Sequence, residues 1–355
     1  MKQLIINPGS TSTKIAVYDD ETMIFEKTIR HTSEELHPFS KVVDQFQFRK
    51  ELIITALNEN SISLNELNAV VGRGGLLKPI EGGTYAVNDK LIEDLKTNVK
   101  GEHASNLGAL LARSIADEVN ISSFIVDPVV VDEMEDVARV SGHPDFERVS
   151  IWHALNQKAV ARRAAKEKFN KNYEEMNFVV AHLGGGISVG AHKKGRVIDV
   201  NNALNGEGPF SPERSGSLPA GQIVKTCFGG KFTEAEINKM IAGKGGISAH
   251  LGTNNAKEVS ERASAGDEKA KLIYSAMAYQ VAKSIGEYAV VLDGDVDAIL
   301  ITGGIAYDNS FVQMIEEKVK FIATVIAYPG EDELLALAQG GLRVLNGIEK
   351  SKTYI

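Results

Sequence analysis

Leu4-Ile5-Ile6-Asn7-Pro8-Gly9-Ser10-Thr11-Ser12-Thr13-Lys14-Ile15-Ala16-Val17-Tyr18 is the stretch that decides the fold. Leu4 to Asn7 reads as a buried strand, Pro8 to Ser12 as a turn of small residues, and Lys14 to Tyr18 as a second strand that turns at Asp19-Asp20. The chain therefore opens with a β-hairpin and not with strand, turn, helix. No Gly-x-x-x-x-Gly-Lys-Ser/Thr run is present, so the turn is not a Walker P-loop. It still carries more chemistry than a hairpin requires. Backbone N–H groups among small residues can approach an anion, and Ser10, Ser12 and Lys14 add hydroxyl and ammonium donors.

The same device returns later. Phe178 to Leu183 reads as a strand, Gly184-Gly185-Gly186 as a turn, Ile187 to His192 as a strand, and Arg196 to Val200 as another after Lys194-Gly195. A strand after the glycines, where a dinucleotide fingerprint needs a helix, excludes a Rossmann site. The repeat suggests a weak internal duplication: two α/β domains of related topology facing each other, each with one glycine hairpin to grip a triphosphate. Helical spacing is read over Ser40 to Asn58, Asp89 to Asn98, Ala104 to Val119 and Asp267 to Leu292. Thr233 with Glu236 is a capping box. Pro329-Gly330 breaks the chain before a last helix opened by Glu331-Asp332-Glu333, acids at the positive end of its dipole.

Composition narrows the partners. A formal net charge of -8 argues against general nucleic-acid binding, which needs a basic face. One cysteine, Cys227, excludes a disulfide framework and a thiolate metal site and points to a reducing, cytoplasmic setting. The apolar run near the N-terminus, Leu4 to Ile6, is too short for a signal-peptide core, and no stretch has the length of a membrane span, so neither export nor an anchor is expected.

Further candidates stand at strand ends and in loops. Thr302-Gly303-Gly304-Ile305 follows a strand, where bare backbone can lie against a base or ribose or simply pack helix on strand. Arg73 lies among Gly72, Gly74 and Gly75, and Arg214 in the Gly/Pro-rich loop from Gly206 to Pro219. Two such arginines suit an anion bound on each side, as phosphoryl transfer between two anions demands. Asp127, before Pro128, is either a carboxylate for Mg²⁺ or a turn aspartate. His153 is either a hydrogen-bond donor to a transferring phosphoryl group or a buried histidine. Asp132, Glu133, Glu135 and Asp136 read as a solvated acidic surface, and His31 receives no role.

In order along the whole chain, these residues resemble the acetate and butyrate kinase family, within the superfamily of sugar kinases, actin and the large heat-shock chaperones. Asn7-x-Gly-Ser-Thr-Ser-x-Lys14 is similar to the family's first signature and His182-Leu-Gly-Gly-Gly186 to its second phosphate loop. The triple glycine and the segment Gly208 to Pro219 resemble the butyrate branch. The resemblance implies an α/β fold of two duplicated ribonuclease H-like domains, mixed β-sheets flanked by helices, with the active site in the interdomain cleft. It places the first domain at 1–130 plus 331–355, with the last helix returning to it, and the second at 131–330. It implies reversible phosphoryl transfer from ATP to the carboxylate of butyrate or a related short-chain acid. Branched acids, propionate, acetate and a non-kinase ATPase of the actin type stand as alternatives. ATP/ADP and Mg²⁺ are the implied ligands, and a homodimer or higher homo-oligomer is the implied assembly. Asn7, Ser10, Ser12, Lys14, His182, Gly184, Gly185 and Gly186 would lie near the phosphates, and Gly303, Gly304 and Ile305 at the adenosine. Arg73, Asp127, His153 and Arg214 would be catalytic, and Asp127 and Asn7 would stand beside the metal. Where acetate kinases carry a metal-side glutamate, Asp308 would substitute in this chain or the metal would lean on Asp127 alone. Gly74 and Gly75 would leave room for an acyl tail beside a Trp152 wall, favouring C3 to C5 acids.

Overall fold

The alternation of the opening hairpin is realised in full. In the computed structural model, which describes residues 1–355, β1 (Lys2–Pro8) pairs antiparallel with β2 (Ser12–Asp19), with Asn7 opposite Lys14. β2 continues into the antiparallel β3 (Thr22–Arg30). Leu4, Ile6, Ile15, Val17 and Val70 are fully buried against helices α1 (Phe46–Glu59) and α2 (Asn106–Glu118). Each such side chain contributes about 1.5–3 kcal/mol by leaving water. β4 (Ala69–Arg73) joins the other edge of β1 in parallel, followed by β6 (Ser122–Val126), with β5 (Thr84–Ala86) beyond it.

These elements form one unit, Met1–Asp132 with Asp332–Ile355; the other is Glu133–Glu331. The C-terminal helix Glu333–Leu345 returns to cover the second face of the first sheet. It lies flush because Gly340 and Gly341 carry no side chain. An added Cβ at Gly340 would stand 2.4 Å from Val126, and at Gly341 2.1 Å from Gln3. Gln3 Nε2 donates to the Ala338 carbonyl and Thr84 Oγ1 to that of Gly340.

In the second unit, β7 (Asn177–Leu183), β8 (Ile187–Lys193) and β9 (Arg196–Val200) form an antiparallel meander. β10 (Ala298–Gly303) and β11 (Val325–Pro329) add in parallel. The strand order β9-β8-β7-β10-β11 repeats β3-β2-β1-β4-β6 of the first sheet. The duplication read from two glycine turns is thus a duplication of topology. Val179, Ala181 and Leu183 face the long helix Glu268–Val291, whereas Phe178 and Val180 face the helix Ala154–Phe169. No helix is long and apolar enough to cross a membrane.

Two readings are corrected. The helix expected from Ser40 begins later: Val42–Gln45 is a 3₁₀ turn, with Asp44 accepting from the Lys41 N–H, and the α-helix starts at Phe46. The acidic run is not all solvated. Glu133 is buried, 2.8 Å from the buried ammonium of Lys158, and accepts the N–H of Val197.

Candidate active site

Strand parity decides what meets in the first unit. Asn7 shares a face with Gln3 and Ile5, and that face receives the returning helix. Asn7 Nδ2 accordingly donates to Glu333 Oε2 at 2.7 Å. Arg73 Nη1 reaches the same oxygen at 2.8 Å and Asn7 Oδ1 at 3.3 Å. Asn7 and Arg73, singled out from sequence, are brought together, and Glu333 is the residue the sequence reading passed over. In sequence it is only a helix-opening acid, since its partners lie 326 and 260 positions away along the chain. Lys14 lies on the exposed side of β2 and pairs with Glu26 at 3.4 Å. Ser10 is exposed at the turn tip.

The turn itself is held from beneath by Arg49, which is 1% exposed. Its guanidinium donates to the carbonyls of Gly9, Ser10 and Ser12 and to Thr13 Oγ1. Gln45 Oε1 orients it through two more bonds. Burial pulls its pKa down to about 10, so it stays charged. By drawing these carbonyls inward it places a buried cation beneath the turn. A sequence signal existed: Arg49 falls on the buried stripe of α1 with Ile53, Ala56 and Leu57, where a charge needs a reason. Arg49→Met is expected to raise the KM for ATP about tenfold. The orphaned carbonyls should also lower the thermal midpoint by roughly 4–10 °C. Unchanged values of both would contradict this support.

His31 braces the same turn, its Nε2 2.9 Å from Thr13 Oγ1. Burial, then the nearby Arg49 charge, lowers its pKa to about 4 from the ordinary 6.5, against a small opposing pull from Glu35. The unfolded chain takes the proton first. The stability His31 contributes is therefore present above pH 6.5 and is lost as pH falls toward 4. Thermal melts across that window should steepen in the wild type and flatten in His31→Asn; identical profiles would refute the assignment.

Asp127 is 1% exposed, with φ at +36°. It exchanges bonds with Gly83: the Gly83 N–H donates to Asp127 Oδ1 at 2.7 Å and the Asp127 N–H to the Gly83 carbonyl. A non-glycine residue there costs about 1–3 kcal/mol, which such reciprocal bonds must offset. The glycines flanking Arg73 do not open acyl space. A Cβ on Gly74 would meet Pro128 at 2.5 Å and one on Gly75 would meet Asn106 at 2.5 Å, so close packing explains both.

The second unit gathers the other candidates. Gly184, Gly185, Gly304 and Ile305 line one cavity of about 800 Å³, together with Tyr274 and Tyr307. Gly303, at φ +93°, packs its Cα against the Leu183 carbonyl. Arg214 lies against Gly186, where an added Cβ would stand 2.1 Å from its Nη1; that nitrogen donates to the Ala203 carbonyl at 2.6 Å. Ser211 ties the loop down, its Oγ donating to the Gly185 carbonyl and accepting the Arg214 N–H. Burial lowers the Arg214 pKa, partly opposed by Glu213.

His182 shares the β7 face of Phe178 and Val180 and so points toward the helix Ala154–Phe169. Its ring stacks on His153, centroids 3.8 Å apart. His182 Nδ1 meets Asn156 Oδ1 at 2.8 Å and its Nε2 faces Glu331 at 3.1 Å. Trp152 is 2% exposed and packs edge-on to His192, so it is core and not an open acyl wall. Asp308 caps the helix Asn309–Val319, with Oδ1 accepting from Ser310 and Phe311 and Oδ2 from the Tyr274 hydroxyl.

Comparison with known proteins adds the following. The family described as Acetokinase family matches residues 148–343. The chain is 61% identical over 351 residues to butyrate kinase 1 of Clostridium acetobutylicum, covering 99% of each. It is 60% identical to butyrate kinase 2 of the same organism, again with 99% of each covered. Among solved structures, the acetate kinase of Porphyromonas gingivalis superposes with a TM-score of 0.79 at 19% identity, over 97% of this chain and 99% of that one, a likeness of fold.

Proposed function

The chain belongs to the acetokinase family, and from that membership we infer that it is a butyrate kinase, moving the γ-phosphoryl group of ATP reversibly to the carboxylate of butyrate. The acceptor is a carboxyl group, already ionised at neutral pH, so no strong general base is required. What the reaction requires is a cationic setting in which two anions can meet. The observation that carries this reading is the guanidinium of Arg214 laid on Gly186, within the glycine turn that borders the 800 Å³ cavity.

In this reading the cavity of the second unit takes the nucleoside, with Gly304 and Ile305 against it, and Gly184 to Gly186 take phosphate oxygens. Arg214 neutralises the equatorial oxygens of the transferring group, and His153 donates to them. In the first unit the turn around Ser10 and Ser12 addresses phosphate with its N–H groups, and Arg73 clamps the acid. Asp127 is a buried organiser of its loop.

Mg²⁺ fits the donors of this chain. Asn7 Oδ1 and the Glu333 carboxylate are hard oxygens that already accommodate a cation, the guanidinium of Arg73. An ion that takes few protein carboxylates beside phosphate oxygens would be held by these two residues. When bound it supplies charge neutralisation on the phosphates. The protein acts in the cytoplasm as a homo-oligomer.

Hydroxylamine trapping tests the reading. Purified protein with ATP and butyrate should form butyryl hydroxamate in proportion to ADP released. ATP hydrolysis without hydroxamate would instead favour a nucleotide-driven ATPase.

A further inference from the structure

A chain of buried polar groups runs behind His153, and every link in it has only one permitted direction. Gln157 is fully buried, and its Nε2 lies 3.0 Å from the Ser188 carbonyl and 2.8 Å from Ser188 Oγ. A carbonyl only accepts, so the atom facing it is the amide nitrogen and the amide orientation is fixed. The Gln157 oxygen therefore faces the other way, toward His192 Nε2 at 2.9 Å, and that nitrogen must carry the proton. His192 Nδ1 is then the acceptor, and the Tyr173 hydroxyl donates to it at 2.7 Å. His192 is neutral, as this requires: burial pushes its pKa well below the ordinary value, and the Lys158 and Arg162 charges push the same way. Room for the amide comes from Gly190, where a Cβ would stand 3.1 Å from the Gln157 oxygen.

The direction carries through Ser188. Its Oγ accepts from Gln157 Nε2 and also faces the backbone N–H of His153, which can only donate. With its lone pairs so engaged, the hydroxyl hydrogen goes to His153 Nδ1, 2.7 Å away. We propose that the sequence Tyr173, His192, Gln157, Ser188 acts as a one-way hydrogen-bond relay that fixes His153 as the Nε2–H tautomer. Gln157 and Ser188 are positioning residues; neither need touch substrate.

The consequence deepens the proposed function and rests on it for its purpose. A histidine that is to donate to phosphoryl oxygens must present N–H and not a lone pair, and the relay makes that choice before any ligand arrives. Preorganised donors cost no reorganisation when charge develops. The stacked His182, 3.8 Å away, holds the same ring in plane.

The test reads the tautomer directly. Full-length protein carrying ¹⁵N-histidine is examined at pH 7.5 by long-range proton–nitrogen correlation, with the His153 signals assigned from a His153→Gln spectrum. The expected result is a protonated Nε2 and an unprotonated Nδ1. An Nδ1–H tautomer, or an imidazolium, overturns the proposal. Ser188→Ala should lose the single-tautomer pattern and lower kcat roughly tenfold, with both KM values within about twofold. An intact pattern in that variant also overturns the proposal. A lost pattern with unchanged turnover upholds the relay and removes His153 from the reaction, which separates the two failures. Should Ser188→Ala not fold, the wild-type spectrum decides alone.

Discussion

Replacing Arg214 with alanine is expected to lower kcat by on the order of 10²–10³, with much smaller changes in KM for either substrate. The reason is where the guanidinium stands. Burial disfavours its charge, and the nearby Glu213 carboxylate opposes this only in part. A cation held at that cost beside a glycine turn is suited to an anion whose charge grows or spreads in the transition state. Losing it removes stabilisation from the transition state more than from bound ATP, which is why the effect should appear in kcat. Gly186→Ala offers an independent route to the same loss. Its Cβ would enter the space of Arg214 Nη1, 2.1 Å away, and displace the arginine without deleting it. Steady-state kinetics on both variants, with folding checked by circular dichroism, decides the matter. Near wild-type turnover in folded Arg214→Ala would take the residue out of the mechanism.

Arg73→Leu should act on the acid instead. The Arg73 side chain is 38% exposed, so the loss of its charge-assisted bonds belongs at the low end of the usual range. A cost of about 2–3 kcal/mol corresponds to a rise of roughly 30- to 150-fold in the KM for butyrate. The KM for ATP should change less. The substitution also leaves the Glu333 carboxylate without its guanidinium, so a companion Glu333→Gln variant is informative. It keeps the shape, removes the charge, and should raise the Mg²⁺ concentration needed for half-maximal rate. An unchanged KM for the acid in Arg73→Leu would remove the clamp.

Local patterns carried the fold. Two strand–glycine–strand runs, at Ile6 to Ile15 and Leu183 to Ile187, were enough to infer a repeated hairpin, because alternation and turn chemistry are written in neighbouring residues. The Thr233–Glu236 capping box was legible for the same reason, and it forms. What escaped reading depends on distant partners. Nothing near Glu333 announces Asn7 and Arg73, and nothing near Glu133 announces Lys158. Glycines were the hardest to interpret. Gly74 and Gly75 look like room for a ligand, but Pro128 and Asn106 already fill that room. Gly186 looks like one more phosphate glycine, yet it is also the floor on which Arg214 rests. Sequence marks such positions as special without saying what approaches them.

The most direct test of the central claim is the reverse reaction measured across acyl chain length: acyl phosphate plus ADP, with ATP formation followed by a coupled assay. The account predicts ATP from butyryl phosphate with the highest kcat/KM, from propionyl and valeryl phosphates less efficiently, since one methylene is worth only about 1–3 kcal/mol, and from acetyl phosphate least well. No ATP from any acyl phosphate, or acetyl phosphate clearly best, would contradict it.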